Sequence, residues 1–124
     1  MDKEACQSAL GAVQDALYVL SGKWKLPIII ALNEGSKRFG EIQKNVAGIA
    51  PKVLSSELKI LELNGFVIRR VYNEFPVSIE YELTDYSNSL ENVINALKDW
   101  GTQHREKLRA EYKKKRSKRG EAVV

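Results

Sequence analysis

Residues 48–70, GIAPKVLSSELKILELNGFVIRR, constrain the fold more than any other stretch of the chain. Pro51 suits the first turn of a helix, where its missing N–H costs nothing and its fixed φ helps. Leu54, Leu58 and Leu61 then follow at i, i+4 and i+7 and share one helix side. Lys52, Ser55, Ser56 and Lys59 share the other side, which carries no acid and no large apolar group over those positions. Asn64-Gly65 ends the helix, because glycine readily takes the left-handed conformation after a last turn. Residues 66–72 read as a strand. A short helix with a buried leucine side and a small cationic outer side can enter a DNA major groove. Lysine reaches phosphate or guanine, and serine is short enough to allow close approach. The same pattern also fits a plain solvated helix face, since a positive patch is only an electrostatic footprint.

A chain of 124 residues predicts one domain, with room for an appended helix. At 44% hydrophobic it can bury a modest core. No apolar run approaches the ~20 residues that span a membrane, so no membrane partner is expected. Met1-Asp2-Lys3-Glu4 leads straight into mixed polar sequence, which predicts no signal peptide and a cytoplasmic protein. One cysteine excludes an internal disulfide framework, and one Cys with one His cannot make a usual zinc site. Neither metal nor cofactor is expected.

The net charge of +4 is unevenly spread. Residues 1–104 sum to −2, residues 21–72 to +5, and residues 105–119 to +7. The middle segment and the C-terminal segment can both face a polyanion.

Before the opening stretch, Leu10, Val13, Leu17 and Leu20 repeat at helical spacing and predict a helix over residues 7–20. Its stripe suits either a subunit contact or its own domain. A second helix begins at Lys23-Trp24-Lys25, with Pro27 in its first turn and the apolar run of residues 28–32 at the centre of the fold. Lys37-Arg38-Phe39 reads as a short extended piece, and residues 41–46 as a short helix with Ile42 and Val46 inward. Two short helices joined by a tight glycine-containing turn form a helix-turn-helix. Ile79, Tyr81 and Leu83 alternate with Ser78, Glu80 and Glu82, predicting a strand with one wet face. It pairs with residues 67–72 as a hairpin that serves as a wing or as simple support. Thr84 is a plausible N-cap for a last helix. Its stripe, Tyr86, Leu90, Val93, Ile94, Leu97, Trp100, His104 and Leu108, outlasts what a small domain can cover. A stripe of that size marks a partner surface, most simply a twofold dimer. Residues 113–119 are nearly all basic, and read as a solvated tail able to attract phosphate non-specifically.

These pieces together resemble the HxlR family of bacterial transcription regulators. The resemblance rests on Gly22-Lys23-Trp24-Lys25 with Ile28-Ile29, on Lys37-Arg38-Phe39-Gly40-Glu41-Ile42, and on Gly48-Ile49 with Lys52, Leu54, Leu58, Leu61, Gly65 and Arg69. Tyr72 with Glu74 and Pro76, then Glu80-Tyr81-Glu82-Leu83-Thr84, then Leu97 with Trp100-Gly101 complete it, in family order over residues 22–101. It implies a mainly α fold with a β-hairpin: a winged helix-turn-helix, dimeric through terminal helices, on pseudo-palindromic operator DNA. By resemblance the recognition helix is residues 51–63 and the wing residues 72–79. Three positions depart from the family pattern. Ala50 stands where a capping Ser is usual, Ser78 where a basic residue is common, and Cys6 is followed by Gln7 and not by Pro.

The expected boundaries are an N-terminal helix over 1–22 for dimerisation or packing, a DNA-binding domain over 23–84, a dimerisation helix over 85–112 and a basic disordered tail over 113–124. The expected DNA-binding residues are Lys37, Arg38, Lys52, Ser55, Ser56, Lys59, Arg69 and Arg70, acting on double-stranded DNA. The homodimer is expected through Leu10, Val13, Leu17, Leu90, Val93, Ile94, Leu97 and Trp100. Several HxlR relatives with an N-terminal cysteine respond to oxidants through it, so Cys6 is a candidate redox sensor; a small-molecule effector stays open. The function expected is a sequence-specific transcriptional regulator, a repressor acting as a homodimer. The alternative is a winged-helix protein-interaction module. No nucleophile motif or glycine-rich phosphate loop suggests an enzyme.

Overall fold

A computed structural model of the chain describes residues 2–122. The chain divides into two compact units, one up to Asn88 and one from Ser89 onward. In the first unit the elements run α1 (Lys3–Leu20), α2 (Lys25–Leu32), β1 (Lys37–Arg38), α3 (Phe39–Asn45), α4 (Pro51–Leu63), β2 (Val67–Tyr72) and β3 (Ser78–Leu83). A 3-10 turn (Asp85–Leu90) leads to the second unit, which is built on α5 (Glu91–Ala122).

The core gathers the leucine side of α4, the apolar run of α2 and Ile42 of α3. Ile28, Ile29, Ile42, Leu54, Leu58 and Leu61 are almost wholly removed from water. Ile49, in the turn between α3 and α4, and Phe66 and Val67, just after α4, close the same core. Such side chains each contribute roughly 1.5–3 kcal/mol of transfer free energy on burial. Gly48 makes the turn possible: its φ of +83° is one that an L side chain rarely adopts. Gly65 does the same after α4, at φ +82°.

The strands form an antiparallel sheet in the order β1-β3-β2, so β3 is central. Lys37 pairs with Tyr81 and Arg38 with Glu80, while β2 runs from Val67 opposite Leu83 to Tyr72 opposite Ser78. The hairpin and the extended piece at Lys37-Arg38 agree with the sequence reading; the pairing of that piece with β3 was not legible. With a neighbour on each side, β3 is half-buried along its whole length, and the expected dry-and-wet alternation is blurred. After β3 the chain is clamped to the end of α4. Thr84 Oγ1 donates to the Gly65 carbonyl at 2.6 Å, and Ser87 Oγ to the Phe66 carbonyl at 2.5 Å. Thr84 therefore spends its hydroxyl mainly on that clamp, and α5 begins at Glu91 and not at the expected N-cap.

The terminal helices are longer than the sequence pattern suggested. Asp2 caps α1 by accepting from the Ala5 N–H at 2.7 Å, which starts the helix before residue 7. The 32-residue α5 continues through residues 113–122, where a disordered tail was expected. Lysine, arginine and glutamate are good helix formers, and no proline interrupts them. Residues 123 and 124 of that expected tail lie outside the described residues. No helix of the described residues is long and apolar enough to cross a membrane.

Candidate nucleic-acid interface

The candidate surface is built on α4. Its 13 residues rise about 20 Å, and a helix about 10–12 Å in diameter fits the roughly 12 Å width of a major groove. Leu54, Leu58 and Leu61 anchor one side in the core, and the helix period then turns Lys52, Ser55, Ser56 and Lys59 outward, where all four are exposed. The acid-free face does not last the whole helix. Glu62 and Leu63 follow on the same side in the last turn, and Leu63 is 79% exposed. The N-terminal end has Ala50 as its cap residue with no side-chain hydrogen bond, so the first turn's N–H groups are left to solvent or a ligand.

A feature that pattern reading missed ties α4 to α2. Lys25 of α2 reaches Glu57 of α4 at 3.0 Å, with both side chains largely covered. Lys25 also donates to the Ser21 carbonyl at 3.1 Å. Glu57 Oε2 accepts no hydrogen bond of good geometry, so the pair is held by charge and proximity. Neither residue has a periodic signal: each sits at the flank of its apolar stripe.

The sheet treats the four expected cations differently. Paired residues of an antiparallel ladder share a face. Arg38, Glu80, Glu82 and Arg70 therefore lie on one face, and Lys37, Tyr81 and Arg69 on the other. Arg69 and Arg70 cannot act as one patch. Arg70 Nε donates to Glu82 at 2.8 Å, and that hydrogen bond and the Glu82 charge hold the guanidinium pKa above its ordinary value. Lys37 is committed to Glu34 at 2.7 Å and is largely covered. That hydrogen bond and the lysine charge hold the Glu34 carboxyl below the usual carboxylate range. At the wing, the β2–β3 connection spans residues 73–77, and Phe75 is fully exposed. The Ser78 hydroxyl is enclosed and has no hydrogen-bond partner among the described residues.

The terminal helices keep apolar groups in water. α1 buries no residue, and Leu10, Val13, Leu17 and Tyr18 are all more than half exposed. On α5, Val93, Leu97, Trp100, Leu108 and Tyr112 are exposed and Ile94 is partly covered. Leu90 differs: it is buried, because it sits in the 3-10 turn and not on the long helix. It is therefore withdrawn from the exposed stripe that the sequence assigned it to. Trp100 stacks on His104 at 4.9 Å between ring centroids. Cys6 is exposed in the first turns of α1, with its N–H already bonded to the Asp2 carbonyl.

Comparison with known proteins agrees with this geometry. The HxlR-like helix-turn-helix profile matches residues 19–109. The HTH-type transcriptional regulator YtcD of Bacillus subtilis is 40% identical over 93 residues, covering 75% of this chain and 74% of YtcD. Among solved structures, the redox regulator HypR in its reduced form superposes with a TM-score of 0.74 at 34% identity, over 80% of this chain and 98% of that one. The reduced form of the transcriptional regulator YodB from B. subtilis gives 0.67 at 37% identity, over 73% and 88%. Its α3–turn–α4 unit, three-stranded sheet and sequence together place the chain in the HxlR-like helix-turn-helix family, as a DNA-binding transcriptional regulator with a winged helix-turn-helix fold.

Proposed function

We propose that the protein is a repressor that binds a pseudo-palindromic operator as a homodimer, with one α4 in the major groove of each half-site. The observation that carries this reading is the outer face of α4: four small or cationic side chains, all exposed, on a helix whose other side is locked in the core. In this reading Lys52, Ser55, Ser56 and Lys59 meet bases and nearby phosphates, and Arg38 and Arg70, which share one sheet face, meet the backbone; Lys37, committed to Glu34, and Arg69, on the opposite face, do not join that patch. Support for the dimer comes from the exposed apolar groups of α1 and α5, which are costly to leave in water. A twofold pair would present its two α4 helices to half-sites about 34–36 Å apart. The test is a band shift with genomic fragments over a salt series, beside light scattering. Discrete complexes on a few fragments and a particle of twice 14.0 kDa are expected. Equal smearing on every fragment would contradict the specific reading.

Glu82 restrains Arg70 in this scheme. Glu82→Gln removes the partner at 2.8 Å and one negative charge from that sheet face. The expected result is tighter operator binding and a log K against log salt slope steeper by about one. Fluorescence anisotropy over the salt series checks it; weaker binding would mean that the ion pair shapes the wing and does not compete with phosphate.

Regulation through Cys6 is supported by its exposure and by two relatives studied in more than one redox state. HypR is a redox regulator solved in reduced and oxidised forms, and YodB was solved reduced and diamide-treated. In a dimer closed through α1, the two thiols would need Cα atoms within about 7 Å to bridge. Diamide is expected to change operator binding by the parent and to leave Cys6→Ser unaffected. Equal binding by both proteins after treatment would remove Cys6 as the switch.

A further inference from the structure

The second half of α5 is a continuous helix in which Arg105, Arg109, Lys113 and Arg116 recur at spacings of four, four and three. That spacing places all four on one side, as a single ridge. All are exposed, and none is in an ion pair with a described residue. Glu111 faces Lys107 at 3.7 Å, and Glu106 is in no ion pair with a ridge residue. Beside the ridge, Leu108 and Tyr112 line a shallow surface hollow with Arg105, Arg109, Lys113 and Lys115, and with one acid, Glu111. The helix rise of 1.5 Å per residue makes the ridge about 16 Å long, which faces roughly five base pairs of duplex at 3.4 Å each. The family match ends at residue 109, so Lys113 and Arg116 lie beyond the part shared with the family profile.

We propose that this ridge is a second DNA-binding element, which grips the phosphate backbone without regard to sequence. The inference rests on the chain being a DNA-binding regulator. Charge complementarity selects the partner: four unpaired cations in a row match a uniform polyanion. The other polyanion a basic helix can meet is an anionic membrane, which also demands a broad apolar face. Here the apolar groups stop at Tyr112, and residues 113–119 hold none. Phosphate contacts position a protein and carry no sequence information of their own. The ridge therefore strengthens operator and random DNA alike, and holds the protein on the duplex while α4 samples it.

The test compares the parent with Arg105→Gln, Arg109→Gln, Lys113→Gln, Arg116→Gln in the full chain. Glutamine keeps helix propensity close to that of lysine and arginine, and all four sites are exposed, so circular dichroism should be unchanged. Anisotropy is measured on an operator duplex and on a random duplex of equal length from 50 to 200 mM salt. Releasing about four fewer counterions per protomer should lower the salt slope by roughly 3–4 for each protomer whose ridge meets DNA. Over that range the parent should lose at least about 100-fold more affinity than the variant, the figure for one engaged ridge, on both duplexes equally, with the operator-to-random ratio unchanged. A variant that matches the parent in slope and affinity overturns the proposal. So does a variant that keeps the parent's DNA binding but fails to float with phosphatidylserine vesicles that carry the parent. A parent that shifts neither duplex would instead refute the DNA-binding reading itself.

Discussion

Leu58→Ala is expected to destabilise the first unit by about 2–5 kcal/mol, the usual span for a leucine lost from a close-packed core. Leu58 is 1% exposed and lies between two other leucines of α4 that are fully buried. The change removes the transfer free energy of the lost carbons and leaves a cavity that the close-packed surroundings only partly collapse to fill. For a domain of this size the melting temperature should fall by roughly 10–25 °C. Leu63→Ala is the internal control. Leu63 is on the same helix but 79% exposed, so its loss should lie within about 0.5 kcal/mol. Urea unfolding of the two variants checks the pair. Equal effects would mean that α4 is not seated on its leucine side.

Trp100→Ala should weaken dimerisation by about 2–4 kcal/mol, which is a 30- to 1,000-fold rise in the dissociation constant. Trp100 is 64% exposed and already ordered by its stack on His104, so it loses little further freedom when a partner covers it. Aromatic anchors of this kind dominate interface energetics. Operator binding should weaken with dimerisation, because each half-site alone offers one α4. Sedimentation equilibrium of parent and variant checks the effect. A parent that stays at 14.0 kDa at micromolar concentration would remove the dimer from the account.

What the sequence revealed follows from which forces are local. The bounds of α4 and β2 were legible because Pro51, the leucine spacing and Gly65 act within a few residues of one another. The candidate reading face follows from the same period. The pairing of β1 with β3 was not legible, since Lys37-Arg38 is too short to show a pattern and its partner is some forty residues away. Separation between elements also hid the counter-charges. Glu82 holds Arg70, and Glu57 holds Lys25, through contacts that spacing along one element cannot show. Lys37 was legible as a cation but not as one committed to Glu34, three residues back in a turn. Asp2 was passed over as a cap because it lies ahead of the first apolar residue of the stripe. Leu90 fitted the helical period of the last stripe, yet its segment winds as a 3-10 turn tied by Thr84 and Ser87, which takes it out of register.

The most direct test of the central claim is a band shift of operator DNA with the Ser56→Ala, Lys59→Ala double variant. Both side chains are exposed on the outer face of α4, and neither touches the core. The variant should therefore fold and melt like the parent. Each lost base contact should cost about 1–3 kcal/mol, so operator affinity should drop by one to four orders of magnitude while binding to random duplex changes little. A double variant that shifts operator DNA as the parent does would contradict the assignment of α4 as the reading helix.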